Sequence, residues 1–262
     1  ERVGLTLRPE LIAIKETTGD AGKFEALVSE VAKNNDGGII LMSDNIDILA
    51  AGVKACADQK PLIYAATKDN WEKVTALAKT NSCPVVAKGA NLEEVADVTT
   101  KINQAGINDV VIDSGSRTIR QAFQDQIIIR GSALTKKFRP LGFPTIVFPC
   151  EMTQDPMMEA MIASVFIAKY GSIIVLSDFQ GESLFPLLVE RMNIYTDPQR
   201  PLATTQGVYE IGAPAEDSPV LITTNFSLTY FLVSGYIETS KVPTYLLVMA
   251  TGGLSVMTAW AA

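Results

Sequence analysis

The chain contains no histidine and little cysteine. None of its 262 residues is a histidine, and the three cysteines are Cys56, Cys83 and Cys150. No two of them form a C-x-x-C pair, so this segment carries no zinc-knuckle or iron–sulfur motif. Isolated cysteines of this kind are typical of buried thiols. Without a disulfide pattern, the sequence indicates a reducing compartment, and we expect a cytoplasmic protein.

Positive charge is also scarce. The sequence has 22 Lys and Arg against 29 Asp and Glu, which gives a net charge of −7 and a pI near 4.8. Nucleic-acid binding requires a basic face, so we expect no nucleic-acid partner. Apolar residues make up 47% of the chain and its mean hydropathy is +0.20, which predicts a substantial folded core.

A long uninterrupted apolar run is missing as well. The most apolar window, MMEAMIASVFIAKYGSIIVL (157–176), is broken by Glu159, Lys169 and Gly171, and it reads as helix, glycine and buried strand. No signal peptide opens the chain, so no membrane association is expected. The chain begins without Met and ends in an uncapped helical pattern, and we expect an internal fragment of a longer protein.

From residue 11 to residue 195 the sequence repeats a short strand, a turn and an amphipathic helix. The predicted strands are largely apolar, as in a parallel sheet that is buried on both faces. They are Leu11–Lys15, Gly38–Met42, Pro61–Ala65, Pro84–Ala87, Asp109–Ile112, Thr145–Phe148 and Ile173–Leu176.

Seven βα units in succession predict an α/β fold, a TIM (β/α)8 barrel at residues 1–195 that lacks its first strand. The strand at Leu11–Lys15 would then have an unpaired edge. The alternative is a doubly wound open sheet. That fold would carry a G-x-G-x-x-G turn, and no such turn follows any of these strands.

Polar residues follow several of these strands, where a barrel carries its chemistry. Lys88 and Asp113 could act as an acid/base pair, or Lys88 as a Schiff-base lysine, and Asp178 follows the seventh strand. Helix caps and solvated turn residues explain the same pattern, and no two of these residues form a motif that names a reaction. A stand-alone barrel enzyme, such as a lyase or an aldolase, is therefore one alternative function.

The pattern changes after Tyr195. Residues 196–218 are rich in Pro, Thr and Gly and read as a linker. A strand at Val220–Ile222, a helix at Ser227–Val233 and a strand at Thr244–Met249 then begin a second α/β domain, residues 219–262. Two strands are not stable alone, so most of this Rossmann-like domain would lie beyond Ala262.

Small polar residues mark the ends of both strands in this second domain. If the strands are parallel, Thr223-Thr224-Asn225 lies beside Thr251-Gly252-Gly253 at the carboxyl edge of the sheet, where α/β sheets bind ligands. The helix start at Leu254-Ser255 favours an anionic group. Neutral hydroxyls, an amide and glycines suit a large polar cofactor rather than a side-chain metal site. An ordinary strand–turn–helix segment, in which the Thr residues only cap the helix, would have the same sequence pattern.

Several stretches resemble one protein family over the whole chain. They are TTNFSLTYF, GYIE, VPTYLL and GLSVMTA in the second domain, and KPLIYAAT (60–67) and NIYTDPQ (193–199) before it. These sequences closely resemble the large (gamma) subunit of the corrinoid/iron–sulfur protein, which serves the acetyl-CoA synthase/CO dehydrogenase pathway. The resemblance implies an N-terminal [4Fe–4S] domain, a TIM barrel and a C-terminal corrinoid domain. This chain would start inside the barrel and end inside the corrinoid domain.

The resemblance also implies a function and partners. The family carries methyl groups: the corrinoid accepts a methyl group from a methyl-tetrahydropterin onto Co(I) and delivers it to the nickel site of acetyl-CoA synthase. The implied partners are the small subunit of the corrinoid/iron–sulfur protein, a methyltetrahydrofolate or sarcinapterin methyltransferase, and acetyl-CoA synthase. Because the chain has no histidine, we expect a base-off corrinoid without a protein ligand to cobalt.

The resemblance assigns the corrinoid site to matching positions around the two strand ends. The family often has acidic residues on either side of the position of Thr251, where this chain has Ala250 and Gly252. The implied cofactor-binding residues are Thr223, Thr224, Asn225, Thr229, Thr251, Gly252, Gly253, Leu254, Ser255 and Val256.

Overall fold

The computed structural model describes residues 8–194 and 203–250, and these residues fall into two compact units. The larger unit is Pro9–Glu190. The smaller one begins at Arg191 and contains the described residues 203–250.

Strands and helices alternate along residues 11–194. The strands are β1 (Leu11–Lys15), β2 (Gly38–Met42), β3 (Leu62–Ala66), β4 (Val85–Lys88), β5 (Val110–Asp113), β6 (Ile146–Val147) and β7 (Ile173–Ile174). The helices are α1 (Ala21–Asn34), α2 (Ile46–Ala55), α3 (Trp71–Asn81), α4 (Leu92–Gln104), α5 (Ile119–Leu134), α6 (Pro156–Ala168) and α7 (Gly181–Ile194). All seven predicted strands are present, and their bounds differ from the prediction by at most about two residues.

The strands of the first unit are parallel and lie in chain order. β1 to β5 form one sheet in the order β1-β2-β3-β4-β5. β6 pairs with β7, and a parallel bridge between Ile112 and Thr145 links β5 to the residue before β6. The order of the described strands never reverses, unlike that of a doubly wound sheet, which reverses at its switch point.

Side chains fill both faces of this sheet. On the helix-covered face, Ile39 and Leu41 belong to a core that also contains Phe24 of α1. On the opposite face, Ile40 of β2 belongs to the same core as Phe148, which follows β6. Residues of β2 thus pack in one core on each face, and the prediction of strands buried on both faces is confirmed for β2. Because β2 and the residue after β6 are far apart in sheet order, they can share a core only if the sheet is curved.

β1 lies at an edge of the sheet. Among the described strands it pairs only with β2. Leu11 and Ile12 are 40% and 42% exposed, well above the apolar residues of β2. The expectation of an unpaired edge at Leu11–Lys15 agrees with this arrangement.

The most apolar window of the sequence folds as predicted. It forms α6, then Gly171, then β7. Glu159 is buried and accepts hydrogen bonds from the backbone N and the hydroxyl of Ser177, both at 2.6 Å. Within residues 8–194 and 203–250, no helix combines the length and apolar content needed to cross a bilayer.

The second unit contains a three-stranded mixed sheet and one helix. Its elements are β8 (Gly207–Ile211), β9 (Val220–Thr224), α8 (Ser227–Ser240) and β10 (Thr244–Met249). The sheet order is β8-β10-β9, with β10 parallel to β9 and antiparallel to β8. β9, α8 and β10 thus form a β–α–β unit with parallel, adjacent strands.

Part of the predicted linker is a strand. Residues 207–211, inside the segment 196–218, form β8 and pair with β10. Tyr209 and Ile211 pack against the core beneath α8, while Val208 is 63% exposed. Buried and exposed side chains therefore alternate along the strand, as expected for β-structure. The surrounding Pro and Gly residues obscured this alternation in the sequence. α8 is also longer than the predicted Ser227–Val233.

Candidate functional site

The carboxyl ends of β9 and β10 lie side by side. Thr223 pairs with Val248 and Thr224 with Met249 in parallel register. The backbone N of Asn225 then donates to the carbonyl of Met249 at 2.9 Å. The predicted parallel pairing is confirmed, so residues that follow the two strands emerge at one edge of the sheet.

Six of the predicted site residues lie outside the described part of the chain. They are Thr251, Gly252, Gly253, Leu254, Ser255 and Val256. The other four, Thr223, Thr224, Asn225 and Thr229, are all half-buried and occupy β9, the turn after it and the first turn of α8. Their assignment to a cofactor stays a prediction from the sequence.

One hydroxyl at this edge is buried without a partner. Oγ1 of Thr224 has no hydrogen-bond partner among the described residues. A buried hydroxyl without a partner costs about 1–3 kcal/mol, so such atoms are rare unless a further group satisfies them. The only other side-chain atoms of this kind in residues 8–194 and 203–250 are Oγ1 of Thr75 and of Thr99, both within helices.

A buried hydroxyl pair lies under the same edge. Thr204 donates its backbone N to the carbonyl of Asn225 at 2.8 Å and its hydroxyl to Oγ of Ser227 at 3.3 Å. Both side chains are at most 2% exposed, and Ala203 and Phe226 form an antiparallel bridge beside them. The sequence reading missed Thr204, because it lies in the predicted linker.

α8 begins beside these residues without a side-chain cap. The residue at its N-cap is Phe226, which cannot accept a hydrogen bond from the first turn. Thr229 lies in that first turn. The arrangement therefore presents neutral hydroxyls, a side-chain amide and backbone N–H groups. It contains no acidic or basic side chain between Val220 and Thr229.

The ends of the parallel strands in the first unit carry a second, ionic cluster. Asp113, the last residue of β5, is 1% exposed. Its carboxylate accepts hydrogen bonds from Oη of Tyr64 at 2.6 Å, from the backbone N of Gly115 at 2.8 Å, and from two nitrogens of Arg117 at 2.8 and 3.1 Å. Burial and the adjacent Asp113 charge both raise the pKa of the Tyr64 hydroxyl, which stays neutral.

Arg117 has an acceptor for each of its N–H groups. Nε donates to Glu151, Nη1 to Asp113 and the carbonyl of Ser116, and Nη2 to Tyr64 and Asp113. Burial alone would raise the pKa of Glu151, but hydrogen bonds from Arg117 and Lys15 outweigh it and hold that pKa below its usual value. The guanidinium is therefore saturated by this chain's own groups.

The three residues of the alternative barrel enzyme do not form one site. Nζ of Lys88 lies 5.3 Å from the ring centroid of Tyr64, next to the Asp113 cluster. Asp178 is exposed and accepts hydrogen bonds from Phe179 N and Gln180 Nε2. It lines a small cleft of about 80 Å³ together with the buried Glu159. Sequence reasoning missed Tyr64, which lies inside β3, and Arg117, which lies in the loop after β5, because neither belongs to a recognisable motif.

No group of three or more His, Cys, Asp or Glu in the described ranges is arranged to hold a metal ion. The three cysteines are free thiols, with Cys56 and Cys83 buried in the same core. Burial, with the nearby Cys83, raises the pKa of Cys56 to about 11. The described residues offer hydrogen-bonding sites rather than metal-ligating ones.

Comparison with solved structures bears on the fold alone. Dihydropteroate synthase of Yersinia pestis matches with a TM-score of 0.53 and 14% identity, covering 70% of this chain and 82% of that one. 7,8-Dihydropteroate synthase of Vibrio fischeri matches with a TM-score of 0.53 and 14% identity, covering 71% and 82%. At this identity the likeness shows an α/β fold with a parallel sheet and nothing about activity.

Sequence comparison identifies much nearer relatives. The corrinoid/iron–sulfur protein large subunit of Moorella thermoacetica is 43% identical over 261 residues, which is 100% of this chain and 58% of that protein. The acetyl-CoA decarbonylase/synthase complex subunit gamma of Methanosarcina acetivorans is 34% identical over 269 residues, 97% of this chain and 57% of that protein. The chain thus spans little more than half the length of these relatives.

A family model described as "CO dehydrogenase/acetyl-CoA synthase delta subunit" matches residues 1–262, the whole chain. The relatives carry the names large subunit and subunit gamma, the family that the TTNFSLTYF stretch predicted. The chain therefore belongs to the CO dehydrogenase/acetyl-CoA synthase delta subunit family, and it is similar along its length to the large subunit of a corrinoid/iron–sulfur protein.

Proposed function

We propose that this chain is the central part of a corrinoid-dependent methyl carrier of the acetyl-CoA pathway. The whole protein would accept a methyl group from a methyl-tetrahydropterin and deliver it to the nickel site of acetyl-CoA synthase. The observation that carries the proposal is 43% identity along the whole chain to a corrinoid/iron–sulfur protein large subunit. The polar residues at the carboxyl ends of β9 and β10 are the part of the structure that could bind the corrinoid.

The residues at that edge fit a corrinoid. Its rim carries many amide groups, and its nucleotide tail carries a phosphate. Neutral hydroxyls and N–H groups bind such groups at about 0.5–1.5 kcal/mol net per hydrogen bond. The unpartnered Oγ1 of Thr224 is the kind of atom that such a ligand would satisfy. Thr223, Asn225 and Thr229 would add further donors and acceptors around it.

When bound, the corrinoid supplies a cobalt ion that carries the methyl group. The chain's own residues bind and orient it. Thr204 and Ser227 hold the turn at Asn225 in place by their buried hydrogen bonds. None of the residues from Val220 to Thr229 is a strong metal ligand, so this segment would bind the corrinoid without supplying a protein nitrogen to the cobalt.

The first unit is best interpreted as a TIM barrel without its first strand. Parallel strands in chain order, a curved sheet with a filled inner face, and the free edge of β1 support this interpretation. In the same way, the β9–α8–β10 unit would be the start of a Rossmann-like corrinoid domain. The domain boundaries 1–195 and 219–262 stay part of this proposal, with β8 inside the segment that joins them.

The alternative, a barrel enzyme, finds less support. Asp113 already accepts four hydrogen bonds from this chain, and Arg117 has no donor left for a substrate. A catalytic acid or base needs a free position toward its substrate. The cluster instead ties together residues of β1, β3 and β5 and the turn after β6, which suits a structural role at the sheet's carboxyl edge.

The remaining parts of the proposal concern the longer protein. They are a [4Fe–4S] domain upstream, a small subunit, a methyl-tetrahydropterin methyltransferase and acetyl-CoA synthase as partners, and a cytoplasmic location. The names of the relatives, a "large subunit" and a "complex subunit", support an assembly with other subunits.

Corrinoid analysis of the full-length protein tests the proposal. We expect the protein, expressed with a corrinoid supply, to contain about one corrinoid per chain and a cobalt spectrum without coupling to a protein nitrogen. Thr223→Ala should lower the corrinoid content modestly and leave that spectrum unchanged. A colourless, cobalt-free protein would contradict the proposal, and nitrogen coupling from a side chain would contradict the expectation that no protein group ligates the cobalt.

A further inference from the structure

Lys88 ends a strand at the carboxyl edge of the first unit's sheet. It is the last residue of β4 and is half-buried. Val86, two residues earlier, belongs to the same core as Tyr64, whereas Val85 and Ala87 belong to the helix-covered core. Because side chains alternate along a strand, Lys88 lies on the face of Val86, opposite the helices. The carboxyl edge of parallel strands is where α/β folds bind their ligands.

The ammonium group of Lys88 has no anionic partner among the described residues. It forms no salt bridge and donates no hydrogen bond there, and its one contact is with an aromatic ring. Nζ lies 5.3 Å from the ring centroid of Tyr64, which orients the cation without cancelling its charge. A partly buried charge has lost some of its hydration, so an anion that supplies the missing interactions stabilises it.

The neighbouring charged residues do not compensate Lys88. Glu151 pairs with Lys15, and Arg117 pairs with both Glu151 and Asp113. Two carboxylates therefore share this cluster with three cations, and one positive charge is in excess. The whole chain has a net charge of −7, so the excess is a local feature of this edge. Local positive charge in a partly enclosed place concentrates small anions.

The backbone on either side fixes the position of Lys88. Lys88 and Asp113 are partners in the parallel register of β4 and β5, and the backbone N of Gly89 donates to the carbonyl of Asp113 at 3.3 Å. Gly115 has a φ of +76°, and a Cβ there would lie 2.1 Å from the carbonyl oxygen of Gly89. The turns after the two strands thus touch backbone to backbone, which only a glycine at position 115 permits.

We propose that Lys88 binds the phosphate group of a small molecule at this edge. Every N–H of Arg117 already has an acceptor, so the planar fork that suits a carboxylate is not available. A lysine ammonium is a compact point charge with three donors, which suits a tetrahedral phosphate. The inference goes beyond the proposed function and does not depend on it, since the corrinoid site is proposed in the second unit.

Lysine footprinting of the full-length protein tests the proposal. The probe is inorganic phosphate, with chloride keeping the ionic strength constant, and mass spectrometry measures how fast each lysine is acetylated. Phosphate should slow the acetylation of Lys88 by about fivefold or more, because a bound anion occupies its donors. Lys73 is the internal control, since it is exposed on α3 and forms no salt bridge within the described ranges. Its acetylation rate should not change.

Titration calorimetry of variants separates binding from a role in folding. Lys88→Gln should weaken phosphate binding by about tenfold, because a charge-assisted hydrogen bond is lost. Lys88→Arg keeps the charge and should retain most of the affinity, and Lys73→Gln should bind phosphate as the wild type does. If Lys88 only packs on Tyr64, then Lys88→Gln lowers Tm and leaves the phosphate affinity unchanged, which overturns the proposal.

The remaining outcomes are equally decisive. A wild-type protein that does not bind millimolar phosphate, or in which phosphate protects all lysines alike, overturns the site. Malonate, a small dicarboxylate, should protect Lys88 less than phosphate does at the same concentration. Equal protection by malonate would overturn the choice of phosphate as the ligand. Selective protection of Lys88 by phosphate in the wild type supports the site even if Lys88→Gln does not fold.

Discussion

Arg117→Met should destabilise the full-length protein by removing the centre of the ionic cluster. The substitution deletes a guanidinium that binds Asp113 twice and also Tyr64 and Glu151. The side chain of Asp113 is 2% exposed, and its carboxylate would retain only two of its donors, the hydroxyl of Tyr64 and the backbone N of Gly115. A buried charge would lose its only positive partner within hydrogen-bonding distance among the described residues.

The expected loss follows from that geometry. Removing one partner of a buried ion pair costs about 3–5 kcal/mol, since the other charge stays buried. The Arg117 side chain is 25% exposed and Asp113 keeps two hydrogen bonds, so we expect the lower end of this range, about 3 kcal/mol. For a protein unit of this size, that loss lowers Tm by roughly 6–12 °C.

Thermal unfolding measures the loss, with Arg120→Met as the matched control. Arg120 lies three residues further along, in the first turn of α5, is exposed, and has no salt bridge within the described ranges. Adding Asp113→Asn to Arg117→Met should recover part of the loss, because the unpaired charge is then removed. If Arg117→Met and Arg120→Met shift Tm equally, the structural role of the cluster is refuted.

Two further predictions use titratable groups. Because the pKa of Glu151 is lowered below 4.5, the ionised carboxylate stabilises the folded protein above that pH. This stabilisation is lost as the pH falls through the folded-state pKa. Glu151→Gln should therefore make the free energy of unfolding less dependent on pH in acid, and an unchanged dependence would contradict this. Burial, followed by the charge of Glu151, raises the pKa of Cys150 to about 11, as burial does for Cys56. A disulfide reagent at neutral pH should therefore react far faster with unfolded than with native protein, and equal rates would contradict it.

The strands could be predicted because their signal is local. An apolar run such as Gly38–Met42 between turn residues needs no partner to be recognised, and the structure buries four of its five residues. β8 was missed for the opposite reason. Gly207–Ile211 is short and lies between Pro- and Thr-rich segments, and it becomes a strand only through pairing with β10.

The site was predicted only in part. Thr223 and Thr224 could be placed at a sheet edge because they end an apolar run, and the parallel register confirms that edge. Thr204 could not be placed, since its contact with Ser227 crosses 23 residues of sequence. Likewise, Arg117 joins Tyr64 and Glu151 from distant elements, and no spacing in the sequence encodes that meeting.

Corrinoid retention by Thr224→Val in the full-length protein tests the central claim most directly. The substitution removes the buried Oγ1 at the β9 edge, which has no hydrogen-bond partner among residues 8–194 and 203–250, while keeping the side-chain shape. Thr99→Val, which removes an equally unpartnered hydroxyl inside α4, is the matched control. The account predicts that Thr224→Val loses corrinoid several-fold faster than wild type during gel filtration, while Thr99→Val retains it. Full retention by Thr224→Val, or equal loss from both variants, would contradict a corrinoid site at this edge.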